Sequence, residues 1–118
     1  MIETIKLYRP VGTKELDLIE QSGFKAFPPR LPEQPIFYPV TNEDYAVQIA
    51  REWNARLNED RVGFVTSFYV AKSFLEKYER HTVGSSIHEE YWIPADDLTK
   101  FNDQIVGLIE VISEFRGE

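Results

Sequence analysis

The sequence predicts a small α+β domain built around a mixed or antiparallel sheet. Three observations lead there. The strand-like segments alternate apolar and polar residues instead of running apolar throughout, which marks half-buried strands and not the fully covered strands of a parallel sheet. Helix-like segments with apolar residues every three to four positions lie between them, several on short connections. The chain has 118 residues, 42% of them hydrophobic and 14% aromatic. That suits one domain spanning residues 1–118, with a core filled by large rings and needing no covalent staple.

The first strand is read over Ile2–Arg9, where Ile5, Leu7 and Arg9 share one face and Thr4, Lys6 and Tyr8 the other. Pro10 removes a donor and is expected to end it. Thr13 is the expected N-cap of a short helix whose apolar side carries Leu16, Leu18 and Ile19, and Gly23 suits its left-handed close. Five of the 7 prolines then fall within residues 24–39. That density forbids a helix or a central strand. Phe24, Phe27, Leu31, Ile36 and Phe37 are anchors that a solvated linker would not need, so an ordered loop ending in a short strand is expected.

Asn42–Leu57 reads as a helix, with Thr41 or Asn42 as cap and Tyr45, Ile49, Trp53 and Leu57 repeating every four residues. Asn58-Glu59-Asp60 makes a turn. Val62 to Val70 alternates as a strand, and Lys72–Glu79 reads as a helix with Phe74, Leu75 and Tyr78 inward. Gly84-Ser85-Ser86 makes a second turn. Ile87–Ile93 reads as a strand closed by Pro94, Ala95–Ile105 as a helix opened by that proline, and Val106–Phe115 as a last strand with an irregularity near Leu108-Ile109.

The net charge of −7 is concentrated late: residues 81–118 carry 8 acidic and 2 basic side chains. Such a field argues against broad binding of nucleic-acid phosphates and favours solubility. No run of residues approaches the ~20 apolar positions of a membrane helix. The N-terminal residues lack a basic leader and an apolar core, so the cytoplasm is the expected location. With no cysteine, thiolate metal sites and cysteine nucleophiles are excluded. Only His81 and His88 are available as imidazole ligands. His88-Glu89-Glu90 could bind a metal, but no zinc spacing is present and no metal is expected. Phosphate loops, dinucleotide glycine fingerprints and the serine-hydrolase elbow are all absent.

Strand parity supplies the chemistry. Arg9 points with Ile5 and Leu7 toward the interior, where a guanidinium needs a carboxylate, carbonyls or a bound anion. His88, Glu90 and Trp92 share one face of their strand, Glu89, Tyr91 and Ile93 the other. The plain reading is that Arg9 pairs with Glu89 or Glu90 and locks two strands. Likewise Tyr45 falls in register with core residues, Tyr38 can anchor the loop, and His88 can be an ordinary strand histidine.

These residues also resemble a known pattern. Leu7-Tyr8-Arg9-Pro10-Val11-Gly12 is similar to the first motif of the ADP-ribosyltransferase fold, where an Arg or His ends the first strand. Phe37-Tyr38, Glu43-Asp44-Tyr45-Ala46 and Ile49-Ala50 resemble its second strand and following helix. Glu90-Tyr91-Trp92-Ile93-Pro94-Ala95 resembles the late strand that opens on the catalytic Glu, and Ile105-Val106-Gly107 resembles its close. The chain as a whole resembles short bacterial proteins described as ADP-ribosylation/crystallin J1. Its strand-rich pattern is similar to the transferases and not to the larger, mostly helical ADP-ribosyl hydrolases. Thr66-Ser67 is followed by Phe68 where one transferase branch has a third small polar residue.

The resemblance implies an ADP-ribosyltransferase-like domain that binds NAD or ADP-ribose, with NAD as substrate and ADP-ribose transferred to an acceptor. In that role Glu90 stabilises the charge on the ribose, and His88 stands where related enzymes direct the acceptor. Arg9 holds a phosphate or ribose, and Tyr8, Tyr38 and Tyr45 contribute to the cofactor site. The alternative is a non-catalytic interaction or accessory protein that retains the fold. A weaker one is a small-ligand module whose pocket is the 24–39 loop. A protein partner and self-association stay open.

Overall fold

A computed structural model describes residues 2–54, 61–82 and 89–116. Its framework is a three-stranded antiparallel sheet in the order β1 (Thr4–Val11), β3 (Val62–Ala71), β7 (Ile105–Arg116), with β3 in the centre. One residue extends this layer. Val40 exchanges both backbone hydrogen bonds with Tyr8 (2.8 and 2.9 Å) and bridges on its other side to Glu90 of β5 (Glu89–Tyr91). β5 pairs in turn with β4 (Arg80–Thr82). Every pairing among the described residues is antiparallel, so the sheet expected to be mixed or antiparallel is antiparallel there and the class is α+β.

Two cores lie against this layer. The larger contains Leu7, Phe68, Val70, Tyr91 and Ile109, closed by Ile19 of α1 (Thr13–Gln21), by Phe27, and by Leu98 and Phe101 of α4 (Leu98–Asp103). Phe27, Phe37, Phe68 and Phe101 meet with ring centroids 4.8–6.1 Å apart and tilted or edge-on planes, the arrangement that aromatic quadrupoles favour. The smaller core is Val40, Ala46, Ala50 and Val65, with Tyr8, Tyr45 and Phe115 packed around it. Here α2 (Glu43–Ile49) and the turn after it cover the second face of the sheet, the small Ala46 and Ala50 bringing the chain close.

Several boundaries differ from expectation for physical reasons. β1 runs through Pro10 to Val11. Tyr8 turns its N–H and C=O away from β3 toward Val40; Pro10, two residues on, turns the same way, so its missing N–H removes no bond from the ladder. The α1 N-cap is Gly12, with Thr13 the first helical residue and no side-chain cap bond. Asn42 caps α2, its side chain accepting from the Tyr45 N–H at 3.2 Å. The α-helical repeat ends at Ile49 and continues as a π-helical turn over Ala50–Asn54, whose wider winding a four-residue repeat conceals. The Trp53 side chain, Leu57 and the Asn58-Glu59-Asp60 turn lie outside the described residues.

The helix expected over Lys72–Glu79 is the single turn α3 (Lys72–Leu75), and Arg80–Thr82 forms β4, an additional strand. The segment expected as one strand over Ile87–Ile93 divides at Trp92. β5 pairs with β4, whereas β6 (Ile93–Pro94) pairs with β2 (Ile36–Phe37). Gly84-Ser85-Ser86, Ile87 and His88 are outside the described residues. The helix expected over Ala95–Ile105 is a 3₁₀ turn, Ala95–Asp97, followed by α4. β7 has irregularities opposite Val65/Thr66 and Ser67/Tyr69. The second contains Gly107 at φ +84°, a left-handed position that glycine adopts without strain, and includes the Leu108-Ile109 step.

The proline-rich segment is held at defined points. Gly23 at φ +78° and Phe24 at φ +60° reverse the chain after α1, and the Phe24 carbonyl accepts from the Ile109 N–H at 2.7 Å. Asn102 brackets Phe27, accepting from its N–H at 2.9 Å and donating to its carbonyl at 3.0 Å. No helix among the described residues is long and apolar enough to cross a membrane.

Candidate functional site

The Tyr8–Val40–Glu90 register row fixes where the site lies. It brings the end of β1, the start of α2 and β5 to one cavity of about 310 Å³, lined by Arg9, Pro10, Tyr38, Val40, Tyr45, Ile49 and Glu90. That volume is at the low end for a small-molecule pocket.

Glu90 is the buried acid of the site, 7% exposed. Its Oε1 accepts from the Tyr45 hydroxyl and its Oε2 from the Trp92 indole N–H, both at 2.9 Å. Two neutral donors hold the carboxylate without cancelling its charge. Each donor is positioned by the fold: the Asn42 cap sets the first turn that carries Tyr45, and Trp92 is the joint between β5 and β6. Burial, then the hydrogen bond and charge of Glu90, push the Tyr45 hydroxyl up to about 12. Glu89, on the other parity, accepts from the Thr41 hydroxyl at 3.0 Å and pairs with Arg80 at 3.5 Å. Of the two adjacent acids, Glu90 faces the cavity.

Arg9 pairs with neither. Its Nε and Nη2 donate to the two oxygens of Glu15, at 2.6 and 3.0 Å, and its Nη1 donates to the Tyr38 carbonyl at 3.3 Å. The guanidinium also lies 4.5 Å from the centre of the Phe37 ring. The plain expectation of an Arg9–Glu89 or Arg9–Glu90 pair is therefore corrected. The tight Pro10-Val11-Gly12 connection brings the first turn of α1 back over the strand end, and Glu15 reaches Arg9 before any acid of β5 can. Arg9 and Glu90 line one cavity and remain separate.

The other expected residues divide. Tyr38 is 39% exposed, lines the cavity and meets Trp92 edge-on with centroids 6.0 Å apart. Tyr45 both lines the cavity and packs against the smaller core. Tyr8 packs against that core with the Lys6 ammonium 5.6 Å from its ring centre, and does not line the cavity. His88 is outside the described residues. Sequence reasoning missed Glu15 and the place of His81, whose ring stacks on Trp92 at 3.9 Å and 16°. Parity already placed Trp92 beside Glu90; nothing comparable marked His81, because β4 itself was unread. Among the described residues no group of three or more His, Asp or Glu side chains is placed to hold a metal ion.

Chemically, the cavity is lined by both a buried carboxylate and a guanidinium. Arg9 has five N–H groups, three of them engaged. Such a site suits a ligand that places positive or developing positive charge near Glu90 and an oxyanion near Arg9. No protein-family model, curated protein or solved structure matches the chain.

Proposed function

We propose that the cavity binds NAD or ADP-ribose and that the domain is ADP-ribosyltransferase-like, with transfer of ADP-ribose as its reaction. The observation that carries this reading is that Arg9 and Glu90 line one open cavity without pairing with each other. In the reaction the bond between the ribose C1′ and the nicotinamide nitrogen breaks, the electron pair leaves with nicotinamide, and an acceptor nucleophile takes its place on C1′. Glu90 faces the cationic ribose as that bond opens, and a buried, preorganised carboxylate stabilises such charge. Tyr45 and Trp92 hold both its oxygens in place. Arg9 meets the phosphates with its remaining N–H groups. Tyr38, at the rim, offers a ring to stack on the nicotinamide or adenine.

A second reading has its own observation. Both Glu90 oxygens and the Arg9 fork already have partners within the chain. That favours an accessory protein that retains the fold and uses the cavity for structure. Nicotinamide release separates the two. Wild type incubated with millimolar NAD should release nicotinamide and Glu90→Gln should not. No release by wild type, together with no NAD binding, supports the accessory reading.

A further inference from the structure

A second cavity lies between the proline-rich segment and the β6–3₁₀ junction. It measures about 360 Å³ and is walled by Pro32, Pro35 and Pro94, with Arg30, Gln34 and Asp96 as its polar side chains. The backbone around it is fixed: the Gln34 N–H donates to the Leu31 carbonyl and the Ala95 N–H to the Pro35 carbonyl, both at 2.8 Å. Prolines contribute no N–H donors, so side chains decide what the cavity recognises.

The charge accounting is unbalanced at Arg30. Its Nε is buried and has no hydrogen-bond partner among the described residues. Arg30 forms no salt bridge among them either; the nearby carboxylate, Glu15, gives both oxygens to Arg9. Burial, and then repulsion from Arg9, hold the Arg30 guanidinium below the ordinary arginine value, while Glu15 and Tyr38 act the other way. Arg9 thus holds the carboxylate, and Arg30 is left without one among the described residues. A buried, unpartnered donor on a charged group is costly, and an acceptor that also carries negative charge relieves both the missing bond and the repulsion.

We propose that this cavity is an oxyanion-binding site in which Arg30 takes a phosphate or carboxylate group of a small ligand. Arg30 lines the cavity, and its buried, unpartnered Nε–H lies parallel to the adjacent Nη–H, a forked pair that a planar or tetrahedral oxyanion accepts once the side chain turns toward it. Asp96, also in the lining, offers a carboxylate to a hydroxyl or ammonium donor on the same ligand. The site is distinct from the Glu90 cavity and does not depend on NAD binding there.

The test follows the Arg30 Nε–H resonance by NMR while inorganic phosphate or acetate is added to the full chain, with sodium chloride at matched ionic strength as control. One or both anions should move it along a saturable curve that sodium chloride does not reproduce, and the stronger arm identifies the oxyanion class. By calorimetry Arg30→Gln should weaken binding at least about tenfold and Arg30→Lys, which keeps the charge and loses the fork, by a smaller factor. Glu90→Gln should leave binding unchanged, which separates this site from the cleft. The proposal is overturned if neither anion moves the resonance, if sodium chloride moves it equally, or if Arg30→Gln binds as wild type does. The wild-type resonance decides the matter even if a variant fails to fold.

Discussion

Glu15 holds Arg9 through a forked pair, with Nε–Oε2 at 2.6 Å and Nη2–Oε1 at 3.0 Å. The two residues lie six apart, one at the end of a strand and one in the first turn of the next helix. The pair fixes the angle between β1 and α1. It also sets the charge of the cleft, since Arg9 enters the site already paired with a carboxylate.

Breaking that pair should be expensive. Arg9 and Glu15 are 10% and 21% exposed at their side chains, so solvent screens the attraction only in part. Glu15→Gln is expected to destabilise the fold by about 2–3 kcal/mol, between the values for exposed and for buried pairs. Urea unfolding measures it. A change below about 0.5 kcal/mol would mean that the pair behaves as an ordinary surface contact.

Tyr45 and Tyr78 should resist alkaline titration. Burial first, then hydrogen bonds to Glu90 and Asp97, raise both hydroxyls from 10.0 to about 12. Because the folded values lie above the unfolded ones, the associated stability is complete below pH 10 and declines as pH rises toward 12. Burial also raises the Tyr91 hydroxyl, so ultraviolet phenolate absorbance should show late-titrating tyrosines, and Tyr45→Phe should remove one of them. Normal titration of all six would contradict the hydrogen bonds to Glu90 and Asp97.

The aromatic core gives a third prediction. Phe101 is fully buried and meets Phe37, Phe68 and Phe74. Phe101→Ala should cost about 3–5 kcal/mol through lost burial and the cavity left behind. For a domain this small such a loss approaches the whole stability, so thermal unfolding should show a lowered midpoint or no cooperative transition. Retention of the wild-type midpoint would show that this ring cluster does not carry the fold.

Gly107 tests the irregularity in β7. Space around it is open, since a Cβ there meets nothing within 4 Å, but φ is +84°. Gly107→Ala should therefore cost about 1–2 kcal/mol from backbone strain alone. Calorimetric unfolding measures it. A neutral result would place the bulge elsewhere in the strand.

The sequence made much of this legible where periodicity and chemistry coincide. The alternation of Ile5, Leu7 and Arg9 put Arg9 inward, and the parity of Glu90 and Trp92 put both on one face; the structure keeps each relation. What local pattern could not show is pairing. Val40 acts as a strand of one residue, too short to leave any period, yet it sets the register between β1 and β5. The break at Trp92 arises because β5 and β6 pair with different strands, which is a tertiary fact. Glu15 stands out in no local pattern, and only the tight turn after Pro10 reveals it as the partner of Arg9. The late acidity remains a feature of composition; within it, Glu90 is set apart by burial and by its two donors.

Calorimetric titration of NAD into wild type and Glu90→Gln, with nicotinamide followed in the same samples, tests the central claim most directly. The predicted result is saturable binding by both proteins, with nicotinamide released only by wild type. Absence of heat and of nicotinamide at millimolar NAD for the wild-type protein would contradict it.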